Sequence, residues 1–337
     1  MRVAMLSRDY PPTTGGIPTH ARAIVEGVRK TGVEVDVFEG RSDLGTLFLP
    51  YRKRKTLAGY DLVHIQGSPY AAFDSKHPLV LTVHSPLVEE GKYYPLGNKA
   101  KVPVGKLFER RSFKRADAII AISASTEQCL VERYGVPAGK IVRIPNGVDL
   151  ERFKPLPKPE VPRILVCARL DKRKNIPETI EALAHLQEYA FDFAIVGDGP
   201  ERGSLEALAE RVLPRTKFLG AVADDDLSRM YGEANIFVTT SRSEGFGLTV
   251  VEAMASGCAV VVSDIPTHRE IVADGSDALV YTGLDDLIEK VRLLLTSPEK
   301  RSALGKAARI SSLAFSWDAV VSKTLDVYKD VLSRKIP

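Results

Sequence analysis

Short runs of β-branched and aliphatic residues recur along the chain, and the stretches between them carry apolar residues at helical spacing. In the first half the runs fall at Val3–Leu6, Val33–Phe38, Leu62–Ile65, Leu79–Val83, Ala118–Ile122 and Ile141–Ile144. They are mostly continuous apolar runs, the mark of strands covered on both faces. KPLPKPEVP, with four prolines in nine residues after Phe153, then reads as an extended linker. Beyond it the pattern restarts at Ile164–Ala168, Phe191–Val196, Lys217–Leu219, Ile236–Thr239, Ala259–Ser263 and Leu279–Tyr281. Buried strands separated by amphipathic helices predict an α/β protein with parallel, doubly wound sheets. Two such sets predict two Rossmann-like domains facing each other across a cleft, residues 1–154 and 155–316.

Composition narrows the class without changing that picture. A chain of 337 residues, 44% hydrophobic and 27% charged, suits two soluble domains. No stretch approaches the ~18 uninterrupted apolar residues of a spanning helix. The opening MRVAMLSRDYPP reads as a first strand and lacks the long apolar region of a signal peptide. Cys129, Cys167 and Cys258 are too scattered for a metal site and read as packing residues in a reducing cytoplasm.

Charge is uneven. Residues 1–154 hold 24 Lys and Arg against 16 Asp and Glu, whereas the remainder hold 23 against 27. Much of the excess sits in YRKRK (Tyr51 to Lys55) and ERRSFKR (Glu109 to Arg115). Such clusters are either solvated helix faces or the footprint of an anionic partner, whether membrane surface, nucleic acid or phosphorylated acceptor. Nucleic acid is disfavoured, because no aromatic stacking platform is interleaved with them.

Each half opens with a strand that runs into a distinctive loop. In RDYPPTTGGIPTH, Gly15 and Gly16 precede a helix, so backbone and helix N-terminus can approach a ligand closely; a plain turn explains them equally well. The loop is not GxGxxG, which argues against a nicotinamide dehydrogenase. His20 follows it and is a candidate cleft residue, whereas His64, His77, His185 and His268 read as structural or surface residues. In ARLDKRKNIPETIEAL, Arg169 and Lys174 straddle the strand end and can grip two phosphates, one as a planar fork and one as a mobile point charge. Lys172 and Arg173 read as a solvated turn.

The stretch SRSEGFGLTVVEAMASG (Ser241 to Gly257) carries two carboxylates around a glycine turn. Phe246, Gly247 and Leu248 lead into a helix whose free N–H groups and dipole favour a diphosphate. Glu252 lies too deep to cap that helix but can accept hydrogen bonds from a ribose diol. Glu244 lies before the turn, where it can hold hydroxyls of whatever the diphosphate carries. The alternative makes Glu244 an exposed loop residue and Glu252 a surface charge. Asp224, Asp225 and Asp226 precede LSRMYGEA and read as a helix cap that complements the dipole, not as a metal site. No His, Asp and Glu cluster suits a divalent ion, so neither metal nor other cofactor is expected.

Glu244-x7-Glu252 within that stretch resembles the signature of retaining glycosyltransferases of family 4, which have the GT-B fold. GGIPTH, TVHS around His84, AISASTEQ, IPNGVDLERF, ARLDKRKN, IVGDGPE and FSW resemble the same family in the same order, over essentially the whole chain. The resemblance implies that Glu244 contacts donor-sugar hydroxyls and Glu252 the nucleotide ribose. It implies that Arg169 and Lys174 bind the diphosphate, with backbone N–H of Phe246, Gly247 and Leu248. Gly16 would approach the phosphates from the first domain, His84 would flank the transferred sugar, and Gly197 would lie near the base. The helix from about Trp317 would cross back over the first domain. Retention in this family is attributed to front-face attack, with no enzymic covalent nucleophile. Ala168 and Asn175 stand where the family often has glycine, and DGSDALVY lacks a common Asn-Gly.

The expected activity is transfer of a hexose-type sugar from a nucleoside-diphosphate sugar to an acceptor hydroxyl, by a peripheral enzyme at the cytoplasmic membrane face. The basic clusters favour a lipid-linked or glycan acceptor there. A sugar-nucleotide epimerase of the same fold, or a silent nucleotide- or nucleic-acid-binding protein, are the alternatives.

Overall fold

A computed structural model describes residues 1–11, 15–73, 77–93 and 101–334. The chain forms two compact units, Met1–Gly147 with Trp317–Pro337, and Val148–Ser316.

The first unit is built on a six-stranded parallel sheet of β1 (Arg2–Ser7), β2 (Glu34–Glu39), β3 (Leu62–Gln66), β4 (Leu79–Val83), β5 (Ala118–Ala121) and β6 (Ile141–Arg143). The spatial order is β2-β1-β3-β4-β5-β6. Strands β3 and β4 are buried along their whole length, as central strands of a parallel sheet covered on both faces are. The helix Trp317–Ser333 adds Val320, Val321, Val327, Tyr328 and Val331 to a core that holds Val3, Met5 and Ile24. Gly27 explains how closely that helix meets the helix Gly16–Lys30: a Cβ there would lie 2.4 Å from Val321 Cγ2.

The second unit repeats the architecture with β7 (Arg163–Cys167), β8 (Asp192–Val196), β9 (Lys217–Gly220), β10 (Ile236–Thr239), β11 (Ala259–Ser263) and β12 (Leu279–Tyr281), in the order β12-β11-β10-β7-β8-β9. All twelve strands lie where the apolar runs predict them, with ends within a residue or so. The proline-rich stretch belongs to this unit instead of hanging between two bodies. Lys158 Nζ donates to the carbonyls of Ala234 (2.6 Å) and Ser256 (3.1 Å), and Pro155 packs against Gly257.

In each sheet the chain winds outward in one direction, then returns to the middle and winds in the other. The reversal falls between β1 and β3 in the first unit and between β7 and β10 in the second. Loops that leave the carboxyl ends of strands at such a reversal diverge and open a ligand crevice. The loops after β7 and β10 carry Arg169 to Lys174 and Ser241 to Gly247, and those after β3 and β4 carry Ser68 and His84.

Candidate active site

The two loops of the second unit are stitched together by backbone-directed bonds. Thr240 Oγ1 donates to the carbonyls of Lys174 (3.1 Å) and Asn175 (2.9 Å), and Arg242 N–H donates to the Arg173 carbonyl (2.9 Å). Asn175 has φ 50°, a left-handed conformation that glycine adopts freely and asparagine tolerates better than most residues. That accounts for asparagine at a position where glycine is common.

Glu244 sits at the centre of this arrangement, with only 8% of its side chain exposed. Lys174 Nζ donates to Oε1 at 2.5 Å and Ser241 Oγ to the same oxygen at 2.7 Å. Arg173 Nη1 lies 3.4 Å from Oε2, and Thr267 Oγ1 donates to the Glu244 backbone carbonyl at 2.9 Å. Burial pushes the carboxyl towards its neutral form, but the Lys174 and Arg173 charges overcome it and hold the group at about 2. Glu244 is therefore a fixed anion, not an exposed loop residue. Oε1 accepts two strong hydrogen bonds, whereas the longer contact at Oε2 leaves that oxygen with acceptor capacity. Lys174 has three donors and the Glu244 bond takes one of them.

Arg173 is thus part of the site, although the sequence reads as a solvated turn there. Its neighbour four residues back behaves differently: the Arg169 side chain is 73% exposed and comes only within 3.9 Å of Asp171. Arg169 and Lys174 therefore do not converge in this structure.

Gly247 caps the helix Leu248–Ala255 with φ 98° and supplies no side-chain cap. Phe246 is buried against Phe315, so the turn is anchored from below. His268 is fully buried near this turn; its Nδ1–H donates to the Ser263 carbonyl at 2.9 Å. A helix start without a side-chain cap favours negative charge through its dipole.

Glu252 lies one turn inside that helix and is not a surface charge. Burial pushes its carboxyl up to about 7, with Arg152 and Tyr231 pulling the other way. The Tyr231 hydroxyl is buried with no hydrogen-bond partner of good geometry. A carboxyl that burial raises towards its neutral form gains from hydroxyl donors that hydrogen-bond its ionised form. Cys167, at the end of β7, feels the Glu252 charge, and burial holds its thiol at about 12, so it is inert. Gly197 has a packing reason to be glycine: a Cβ there would lie 1.9 Å from the Ala168 carbonyl oxygen, at φ 124°. Asp224, Asp225 and Asp226 form the first turn of the helix Asp224–Glu233, where they complement its dipole, but none of them caps it. Among the described residues no three His, Cys, Asp or Glu side chains are grouped to hold a metal ion.

The first unit gathers a second constellation. His20 and His84, far apart in sequence, meet edge to face with ring centroids 4.8 Å apart, and Trp317 closes on His20 at 5.6 Å. His20 Nδ1 bonds Asn146 Oδ1 at 2.9 Å and His84 Nε2 bonds Gln66 Oε1 at 2.8 Å. His64 is buried in the same network, between Tyr328 Oη (2.6 Å) and Thr82 Oγ1 (2.7 Å). Burial holds all three imidazoles neutral, His20 at about 4 and His64 at about 3, with His84 lowered too. Gly15 caps the helix Gly16–Lys30 at φ 135° and supplies no side-chain cap. Residues 12–14 of the preceding loop lie outside the described residues.

Two family models fit the chain consecutively: Glycosyltransferase Family 4 at residues 43–152 and Glycosyl transferases group 1 at residues 148–311. Between them the two models span residues 43–311, and the chain is a glycosyltransferase. Among curated relatives, a D-inositol 3-phosphate glycosyltransferase of Xylanimonas cellulosilytica is 28% identical, covering 92% of this chain and 83% of that protein. A GDP-mannose-dependent alpha-(1-6)-phosphatidylinositol monomannoside mannosyltransferase of Mycobacterium tuberculosis is 25% identical, over 96% and 97%. Among solved structures, the sucrose-phosphate synthase of Thermosynechococcus elongatus superposes with a TM-score of 0.86 at 23% identity, over 99% of this chain and 100% of that one. The fold is GT-B. In this glycosyltransferase Lys174 and Arg173 meet at Glu244 in the second unit, and Arg173 is the member that sequence pattern hides.

Proposed function

We propose that this glycosyltransferase transfers a hexose-type sugar from a nucleoside-diphosphate sugar to an acceptor hydroxyl, with retention and without a metal ion. The observation that carries the reading is the buried Glu244 anion, locked between Lys174 and Arg173 beside the uncapped helix start at Gly247. In the proposed complex the diphosphate lies on that helix start and takes the two remaining donors of Lys174, with Arg169 folding in from solvent. Negative charge grows on the diphosphate as the glycosidic bond breaks, and fixed donors aimed at it lower the barrier; one such donor is worth ~3 kcal/mol. Glu244 Oε2 accepts hydroxyls of the sugar and so fixes its face. A carboxylate whose charge is shared with two cations is a weaker covalent nucleophile, which favours orientation as its role.

Glu252 supplies a pH signature. A ribose diol that donates to Glu252 stabilises its ionised form, so a group near 7 in the free enzyme drops on binding and releases a proton. Nucleoside-diphosphate affinity should therefore rise with pH up to about 7, by up to tenfold per unit below that value, and Glu252→Gln should flatten the dependence. Titration calorimetry between pH 5.5 and 8 in the presence of EDTA checks this; a flat profile in the unsubstituted enzyme removes Glu252 from the ribose site.

The acceptor is proposed to be lipid-linked at an anionic membrane face. Phe48, Phe73 and Phe108 form an aromatic row that brings the two basic segments together in the first unit. Tyr51 on the first segment, and Leu44, Val104 and Leu107 shortly before the two segments, are more than half exposed. Each basic residue near an anionic surface contributes ~1 kcal/mol. No described helix is long and apolar enough to cross a membrane, so attachment would be peripheral. Flotation with phosphatidylserine vesicles should capture the enzyme, and Leu107→Glu should weaken capture severalfold. Equal capture by neutral vesicles would overturn the electrostatic part of the proposal.

A further inference from the structure

The buried amide of Gln66 decides which nitrogen of His84 carries the proton. Gln66 Oε1 lies 2.8 Å from His84 Nε2, and an amide oxygen only accepts, so the proton belongs on Nε2. The amide cannot be turned over without loss. Its NH2 group faces the Met5 sulfur at 3.5 Å and His64 Nε2 at 3.4 Å, and a thioether has acceptor capacity alone. Met5 on β1, His64 and Gln66 on β3, and Thr82 on β4 hold this amide in a wholly buried layer. The layer is anchored at its far end by the C-terminal helix, where Tyr328 Oη meets His64 Nδ1 at 2.6 Å. Nδ1 of His84 makes no hydrogen bond among the described residues, and that side of the ring is the one left over for a ligand.

We infer that Gln66 is a positioning residue that fixes His84 as its Nε2–H tautomer, so that Nδ1 presents a lone pair and accepts a hydrogen bond from a hydroxyl of the bound sugar. The inference rests on the proposed place of His84 beside the donor sugar, and it adds a direction to that contact. His84 receives a proton bond from substrate and does not donate one to the departing phosphate. Its neighbours favour the same neutral form. The groups that face His84 are the imidazoles of His20 from the helix Gly16–Lys30 and His64 from β3, so no carboxylate opposes its ring.

Nitrogen-15 NMR of the full-length enzyme labelled at histidine reads the tautomer without any substrate, so it stands apart from the assignment of activity. A pyrrole-like Nε2 and a pyridine-like Nδ1 for His84 are expected, and the opposite assignment overturns the inference. Gln66→Glu puts a carboxylate against Nε2 and should raise the His84 pKa by one unit or more. The acid limb of kcat/KM should then move up by the same amount, with activity recovering at high pH. A Gln66→Glu enzyme that loses activity uniformly at all pH values, with an unshifted limb, assigns Gln66 a packing role alone. Trp317 fluorescence on urea unfolding shows whether that variant still folds.

Discussion

Replacing Lys174 with methionine should lower kcat by ~10²–10³-fold, because it removes a donor aimed at the leaving group. The same change should destabilise the second unit by ~3 kcal/mol, because it strands a buried carboxylate. Glu244 would keep Arg173 at 3.4 Å as its only cationic partner, and that arginine is twice as exposed as the lysine, 24% against 12%. The Glu244 pKa would rise from about 2, since burial would then be less well opposed. Arg173→Met should cost less on both counts. The double variant Lys174→Met, Glu244→Gln separates the two effects: it removes the buried charge, so stability should largely return while activity stays lost. Urea unfolding and steady-state kinetics on the three variants check the set. If Lys174→Met loses stability but keeps its kcat, the lysine is a structural ion-pair partner and the donor reading of this loop fails.

The second large effect is acid destabilisation of the first unit. An unfolded histidine titrates near 6.5, whereas His20 and His64 are held at about 4 and about 3 in the fold, with His84 lowered in the same direction. Folded-state values below the unfolded one mean that the unfolded chain binds more protons as pH falls through 6.5. Stability is therefore full above 6.5 and declines below it. At pH 5 the loss is about 2 kcal/mol each for His20 and His64, and His84 adds to it in the same direction. Glu252 works the other way: its folded value near 7 lies above the unfolded one, so the second unit gains stability between about 7 and 4.5 as pH falls. The chain has one tryptophan, Trp317, and it packs on His20. Tryptophan fluorescence thus follows the first unit, and its urea midpoint should fall steeply between pH 7 and pH 5. An unchanged midpoint would mean that the histidines are solvated enough to charge in place.

The central strands were legible because both faces of a parallel sheet are buried there, which makes them mostly apolar runs, as in LVLTV of β4 and AVVVS of β11. Glu244 and Gly247 were legible because the turn and helix start are local in sequence. What failed to show was non-local. Arg173 sits in DKRK, where three adjacent cations look alike, and only the 3₁₀ turn Lys172–Lys174 decides which of them face Glu244. Arg169 carries the right chemistry, yet its chain runs out into water. Gln66 lies at a strand end with no spacing signal, and its importance arises from β1 and β4 closing around it. The prolines of 154–162 suggest a free linker, while Lys158 finds two carbonyl partners more than 70 residues away.

The central claim is that the second unit binds a nucleoside diphosphate through Lys174 and the Gly247 helix start, without a metal. The most direct measurement is titration calorimetry of the unsubstituted enzyme and Lys174→Met with UDP and with GDP, each in EDTA. The account predicts EDTA-resistant binding of one of the two, weakened by ten- to a hundredfold in Lys174→Met. Absence of binding until a divalent ion is added, or equal affinity in both proteins, would contradict it.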